Sequence, residues 1–178
     1  MKRRSIVVVL TLGVASLPFL ETLAIAAPQD ISRIERQVRT QLVKLPRFTV
    51  FDNLEFRVSG STVTLLGQVQ KPVLKKDAER AIMRVEGVNE VDNQIEVLPL
   101  SSGDDRIRNA TYRAIYNYPM LSRLAIQPNP PIRIIVKNGH VTLEGAVSTA
   151  SEKNVAGVQA NGVGGVFSVT NNLHVVLE

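Results

Sequence analysis

The stretch Val63-Thr64-Leu65-Leu66-Gly67-Gln68-Val69 returns 78 positions later as Val141-Thr142-Leu143-Glu144-Gly145-Ala146-Val147. At the same offset Val85, Gly87, Val88, Val91, Asn93 and Val97 fall on Val163, Gly165, Val166, Val169, Asn171 and Val175, without a gap. The chain is a tandem duplication. A repeat this long is that of two whole small domains, because solenoid arrays repeat at shorter intervals. The shared positions are apolar residues of strand-like segments and turn glycines. None is a His, Asp, Glu, Ser or Tyr able to serve as a catalytic group, so what was copied is a fold.

Working outward from the first copy, Asp30 reads as the N-cap of a helix whose Ile31, Ile34, Val38, Leu42 and Leu45 recur at helical spacing until Pro46. Leu54, Phe56 and Val58 then alternate with polar residues, as do Val63, Leu65 and Val69, and Ser59-Gly60-Ser61 between them makes the pair a β-hairpin with one buried face. Pro72 suits the first turn of a second helix with Ala78, Ala81, Ile82 and Val85 on its apolar stripe, ending at Gly87. Val91, Ile95 and Val97 alternate with Asp92, Gln94 and Glu96 as a third strand. The second copy repeats the order. Asp104 or Asp105 caps its first helix, Lys137-Asn138-Gly139-His140 forms the hairpin turn, Thr149 and Glu152 form a capping box, and Leu173, Val175 and Leu177 lie on the last strand. Ser101-Ser102-Gly103 reads as the linker, and residues 124–131, with Pro128, Pro130 and Pro131, as a semi-rigid loop. The expected fold is α+β. Each unit runs helix, strand, strand, helix, strand, with two helices on one face of a three-stranded mixed sheet.

Lys2, Arg3 and Arg4 precede an apolar run over residues 6–20 that ends in Ala24-Ile25-Ala26, the pattern of a secretory signal peptide cleaved near Ala26. A spanning helix needs about 20 apolar residues, and this run is shorter and interrupted by Pro18. The expected organisation is a signal peptide over residues 1–26, one domain over 27–100 and a second over 101–178, with a periplasmic or secreted mature chain. Cysteine is absent, which excludes a lipid attached at a leader cysteine and any disulfide. The whole chain carries 21 basic and 16 acidic residues, and loss of Lys2, Arg3, Arg4 and Glu21 with the leader leaves 18 and 15, a net of +3. So small an excess is not the concentrated basic patch of a nucleic-acid binder. Without tryptophan, a sugar-stacking platform is also disfavoured.

The paired half-motifs Val63-Thr-Leu-Leu-Gly67-x-Val69 with Val85-x-Gly87-Val88-x-x-Val91-x-Asn93, and Val141-Thr-Leu-Glu-Gly145-x-Val147 with Val163-x-Gly165-Val166-x-x-Val169-x-Asn171, resemble the BON domain. The resemblance runs from about residue 30 to the end of the chain and suggests a secreted protein with two BON domains, similar to osmotically induced periplasmic proteins. It implies attachment to membrane phospholipid, support of the envelope under stress, and no established catalytic site or cofactor. Gly67 and Gly145 are expected to mark a bulge or a close helix approach, and Gly87 and Gly165 the sharp turn into the last strand.

A search for chemistry finds no convergent polar groups. His140 and His174 have no partner at catalytic or metal-ligand spacing, and Gly162-Val163-Gly164-Gly165 has a helix before it and a strand after it, the reverse of a phosphate cradle. The remaining candidates are helix faces. Arg33, Arg36, Thr40 and Lys44 lie off the first apolar stripe, and Lys76, Arg80 and Arg84 recur at every fourth position. In the second copy Arg108, Tyr112 and Tyr116 share a face with Arg113 alongside, a pairing suited to headgroups because a ring enters the interface while its hydroxyl stays wet. The tyrosines within residues 112–118 could instead be the contact between the two domains, which would bury them. The expectation is a non-enzymatic envelope protein that meets anionic phospholipid. The alternative is an oligomerising assembly module with an envelope protein or itself as partner.

Overall fold

The computed structural model describes residues 28–176; the expected signal peptide and Leu177 lie outside the described residues. The first copy comprises α1 (Pro28–Val43), β1 (Asn53–Ser59), β2 (Thr62–Val69), α2 (Pro72–Ile82), β3 (Glu90–Asn93) and β4 (Glu96–Val97). The second comprises α3 (Ser102–Tyr116), α4 (Ser122–Ala125), β5 (Ile132–Lys137), β6 (His140–Val147), α5 (Ala150–Asn161), β7 (Ser168–Asn171) and β8 (His174–Val175). In each copy the longest strand is central. β2 runs antiparallel to β1, with Phe56 opposite Leu65, and parallel to β3 and β4; β6 does the same with β5, β7 and β8. Two separate cores fill the space between helices and sheet: Val38, Leu42, Val63, Leu65, Ala78 and Ile82 in the first, Ile115, Leu121, Ile134, Leu143, Ala156 and Leu173 in the second. Each fully buried Leu or Ile contributes about 1.5–3 kcal/mol.

The repeated residues explain why the copies fold alike. Gly67 and Gly145 have φ of +102° and +115°. A Cβ there would lie 2.2 Å from the Asn53 carbonyl oxygen and 1.9 Å from that of Pro131. The close approach expected at these glycines is therefore to the backbone entering the partner strand, not to a helix. Asn93 and Asn171 break the last strand into two pieces. Their side-chain oxygens accept from the N–H of Ile95 and Leu173 (3.3 Å each), while their amide nitrogens donate to the carbonyls of Lys75 (3.0 Å) and Lys153 (2.8 Å). A side chain tied to the helix thus replaces a rung of the ladder, which is why the single third strand expected from alternation is interrupted.

Other local expectations change. α1 begins at Pro28, so Asp30 sits in the first turn rather than at the N-cap. Ser101 is the N-cap of α3, its hydroxyl accepting from Asp104 N–H at 3.1 Å, so the residues read as linker belong to the helix. Asp104 caps nothing. It is buried and accepts from Asn138 N–H (2.9 Å) and Gly139 N–H (2.8 Å), satisfying the tight hairpin turn. Part of the expected proline loop is the helical turn α4, whose Arg123 pairs with Glu152 of the capping box.

The copies meet chiefly through residues 47–52, with a second contact where Lys137 Nζ donates to Glu96 Oε1 at 2.5 Å. Asp52, buried, accepts from Thr49 N–H (2.9 Å), the Thr49 hydroxyl (2.7 Å) and Gln70 N–H (2.8 Å), which holds the segment in shape. Ile134 N–H donates to the Val50 carbonyl at 2.9 Å, and Val50 and Phe51 pack against the second core. Arg133 lies over the Phe48 ring at 4.5 Å and donates to the Thr49 carbonyl at 3.2 Å. Burial lowers the pKa of its guanidinium. Inside this joint the Tyr116 hydroxyl donates to the Ile132 carbonyl (2.7 Å) and accepts from Ile132 N–H (3.2 Å), and burial raises its pKa well above the usual tyrosine range.

Gly145→Ala should cost more than about 2 kcal/mol, whereas Gly164→Ala, with nothing within 4 Å of its added methyl, should stay within about 0.5 kcal/mol of wild type in urea unfolding. Because the folded-state pKa of Tyr116 is raised, its contribution is complete below the unfolded-state pKa of about 10 and is lost as pH rises beyond it. Tyr116→Phe should lower stability at neutral pH by about 1 kcal/mol and show a shallower decline above pH ~10.

Candidate functional site

The face of α3 expected to turn outward turns mostly inward. Arg108 is buried, its Nη1 donating to Asp105 Oδ1 at 2.6 Å and its Nη2 to the Val136 carbonyl at 2.7 Å. Tyr116 is buried, and Tyr112 is half-buried, its ring 4.9 Å from that of Tyr116 and edge-on to Phe51 of the first copy at 6.1 Å. Of the four residues only Arg113 is exposed. The cause is the joint, since α3 packs on β5 and also receives residues 47–52. For Tyr112 and Tyr116 the reading as a contact between domains describes the geometry, while Tyr118 is exposed.

The basic residues of the first copy remain on the surface. Lys76, Arg80 and Arg84 are exposed on α2 and the turn that follows it. Arg80 pairs with Asp77 at 2.7 Å, whereas Lys76 and Arg84 have no ion pair among the described residues. A groove of about 500 Å³ opens between α1 and the turn after α2, lined by Arg33, Arg36, Gln37, Thr40, Gln41, Arg84, Val85 and Glu86. Arg33 is held to Glu86 at 3.1 Å, but among the described residues Arg36 is exposed without an ion pair and the buried Gln37 side-chain oxygen has no partner. Arg33, Arg36 and Thr40 of the α1 stripe and Arg84, the last member of the α2 stripe, thus meet at one concavity, with Lys76 and Arg80 outside its lining. Spacing within each helix could not show this, because the convergence depends on how α1 and α2 pack.

The second copy builds the equivalent groove from different residues. Gly87 lies against Ile34, and Gly165 against Ile107, which places α1 and α3 in register. The second groove, about 650 Å³, is lined by Arg106, Ile107, Ala110, Asn138, Gly164, Gly165 and Phe167 among others. Where the first copy has Arg84 and Glu86, the second has Gly162 and Gly164. His140 is exposed with Nδ1 2.7 Å from the Ser168 hydroxyl, and His174 is exposed. Among the described residues no group of three or more His, Cys, Asp or Glu is placed to hold a metal, and no helix is long and apolar enough to cross a membrane.

Comparison with known proteins places these features in a family. The BON domain model matches residues 30–99 and 120–176. The second match begins after α3, the helix whose buried side carries Asp104, Arg108 and Thr111 in place of a purely apolar stripe. No curated protein matches the chain. Among solved structures, the C-terminal domain of CdsD, a structural protein of the type III secretion system of Chlamydia trachomatis, is 14% identical with a TM-score of 0.27, covering 85% of this chain and 100% of that one. A second structure of CdsD is 10% identical with a TM-score of 0.29, covering 82% and 93%. Scores this low carry no inference about the present chain. The family match, repeated over two segments that share one topology, establishes that the chain belongs to the BON domain family.

Proposed function

We propose that the protein is a non-catalytic envelope protein, exported after loss of residues 1–26, that attaches peripherally to anionic phospholipid through the helical face of its first domain. The observation that carries this reading is the basic groove between α1 and the turn after α2, where the exposed side chains of Arg36 and Arg84 have no carboxylate partner among the described residues and Lys76 and Arg80 extend the positive face along α2. Each basic residue near an anionic surface contributes about 1 kcal/mol, so Arg36, Lys76 and Arg84, unpaired among the described residues, together favour attachment to a membrane without insertion. Long arginine and lysine stems cover apolar surface while their charged ends stay wet, which suits the headgroup layer. Arg113, exposed on α3, adds charge in the second domain. Such attachment is electrostatic and weakens with salt.

Flotation with vesicles checks this. The protein should float with phosphatidylglycerol-containing vesicles, remain below with pure phosphatidylcholine, and lose the difference at raised salt. Arg36→Glu with Arg84→Glu, both exposed, should reduce binding by about tenfold or more with an unchanged thermal midpoint. Equal flotation with neutral vesicles, or none with either, contradicts the reading.

A further inference from the structure

The duplication supplies an internal reference for what this fold requires of its surface. Residues 76–99 of the first copy, covering most of α2 and all of β3 and β4, carry nine charged side chains; the equivalent residues of the second, 154–177, carry no Asp, Glu, Lys or Arg. The fold does not impose the difference, because the strands pair in the same register. Glu90 and Asp92 stand opposite Thr62 and Thr64, and Ser168 and Thr170 stand opposite His140 and Thr142. Nor are the charges missing because the positions are buried. Ser168, Thr170 and His174 are exposed where the first copy exposes Glu90, Asp92 and Glu96. Val158 is 67% exposed where the first copy has Arg80, and Phe167 is 80% exposed where it has Asn89.

This uncharged flank contains an open edge. The strand order is β5-β6-β7, and β5 is the edge that receives the first copy, so β7 lies on the far side of the sheet, where no strand of this chain pairs with it among the described residues. Sheet edges attract further strands, and proteins ordinarily guard them with charge. The first copy's edge strand carries the carboxylates of Glu90 and Asp92, with Glu96 beyond it paired to Lys137 of the second copy; the second copy's edge strand carries none.

We propose that the flank formed by β7, Phe167 and the outer face of α5 pairs with the same flank of a second copy of this chain, β7 antiparallel to β7 about a two-fold axis. A two-fold axis through Val169 sets Ser168 of one copy opposite Thr170 of the other, and the reverse. The same pairing of the first copy's edge would bring Glu90 against Asp92, carboxylate to carboxylate, whereas Ser168 and Thr170 face each other without like-charge repulsion. Of the two equivalent edges, only the second is chemically complementary to itself. Phe167, immediately before β7, and Val158, exposed on α5, supply apolar area that pairing withdraws from water. The surface is separate from the basic groove, so the proposal does not depend on lipid binding.

Sedimentation velocity on the purified protein, from micromolar to submillimolar concentration and without lipid, tests it. The weight-average mass should rise from one chain to two and stop there. The combined variant Ser168→Glu, Thr170→Asp and His174→Glu gives the second copy the charges with which the first copy folds, and it should remain monomeric over the same range with an unchanged far-ultraviolet spectrum and thermal midpoint. Phe167→Asn, again the first copy's residue, should weaken dimerisation at least tenfold and serves should the triple variant not fold. A wild type that stays monomeric throughout, association that requires vesicles, or self-association undiminished in both variants overturns the proposal.

Discussion

The arrangement of this molecule depends on one backbone hydrogen bond and the segment that delivers it: Ile134 N–H to the Val50 carbonyl, at the edge of the second sheet. Residues 47–52 reach that edge in a fixed shape because Asp52, out of water, satisfies three donors of its surroundings. A carboxylate buried without such partners would cost several kcal/mol, so the segment keeps its shape or loses its anchor. Once docked, it brings Phe51 to Tyr112 and Phe48 beneath Arg133. The joint therefore decides which surfaces are left over. It withdraws the tyrosine face of α3 and the β5 edge from solvent, and leaves exposed the basic helical face of the first copy and the uncharged flank of the second.

Two copies of one frame have thus taken different exteriors. The shared residues are those the frame cannot change: glycines at which a neighbouring carbonyl occupies the place of a Cβ, and asparagines that substitute for a strand rung while holding a helix. Everything outside that set was free to diverge. Arg84 and Glu86 of the first copy correspond to glycines in the second, and the nine charges of one flank have no counterpart in the other. Division of labour between duplicated domains needs no new fold, only a change of the side chains that the cores do not use.

Most of the fold was legible because its signals are local. Period 2 in residues 63–69, helical period in residues 31–45, the Asn138-Gly139 turn and the Thr149 to Glu152 capping box each specify backbone from neighbours in sequence, and both copies repeat them. Signals that depend on a distant partner were misread. Asp104, three residues after Ser101, resembles a capping carboxylate, yet its acceptors serve a turn 34 residues away; the two N–H groups of an Asn-Gly turn, which need an acceptor, were the clue. Arg108, Tyr112 and Tyr116 share a helix face in sequence as well as in structure, but whether that face meets water depends on residues 47–52, which have no periodicity to announce a contact. The basic groove was half legible: each stripe could be read, their convergence could not.

The account stands or falls on the two copies forming one body through this joint. Hydrogen exchange at single-residue resolution tests that directly, because the amide of Ile134 lies on an edge strand and has only the first copy to protect it. The account expects this amide to exchange as slowly as those of the central strand β6 and in step with them as denaturant is added. Rapid exchange at Ile134, with β6 still protected, would show the copies moving independently and would contradict it.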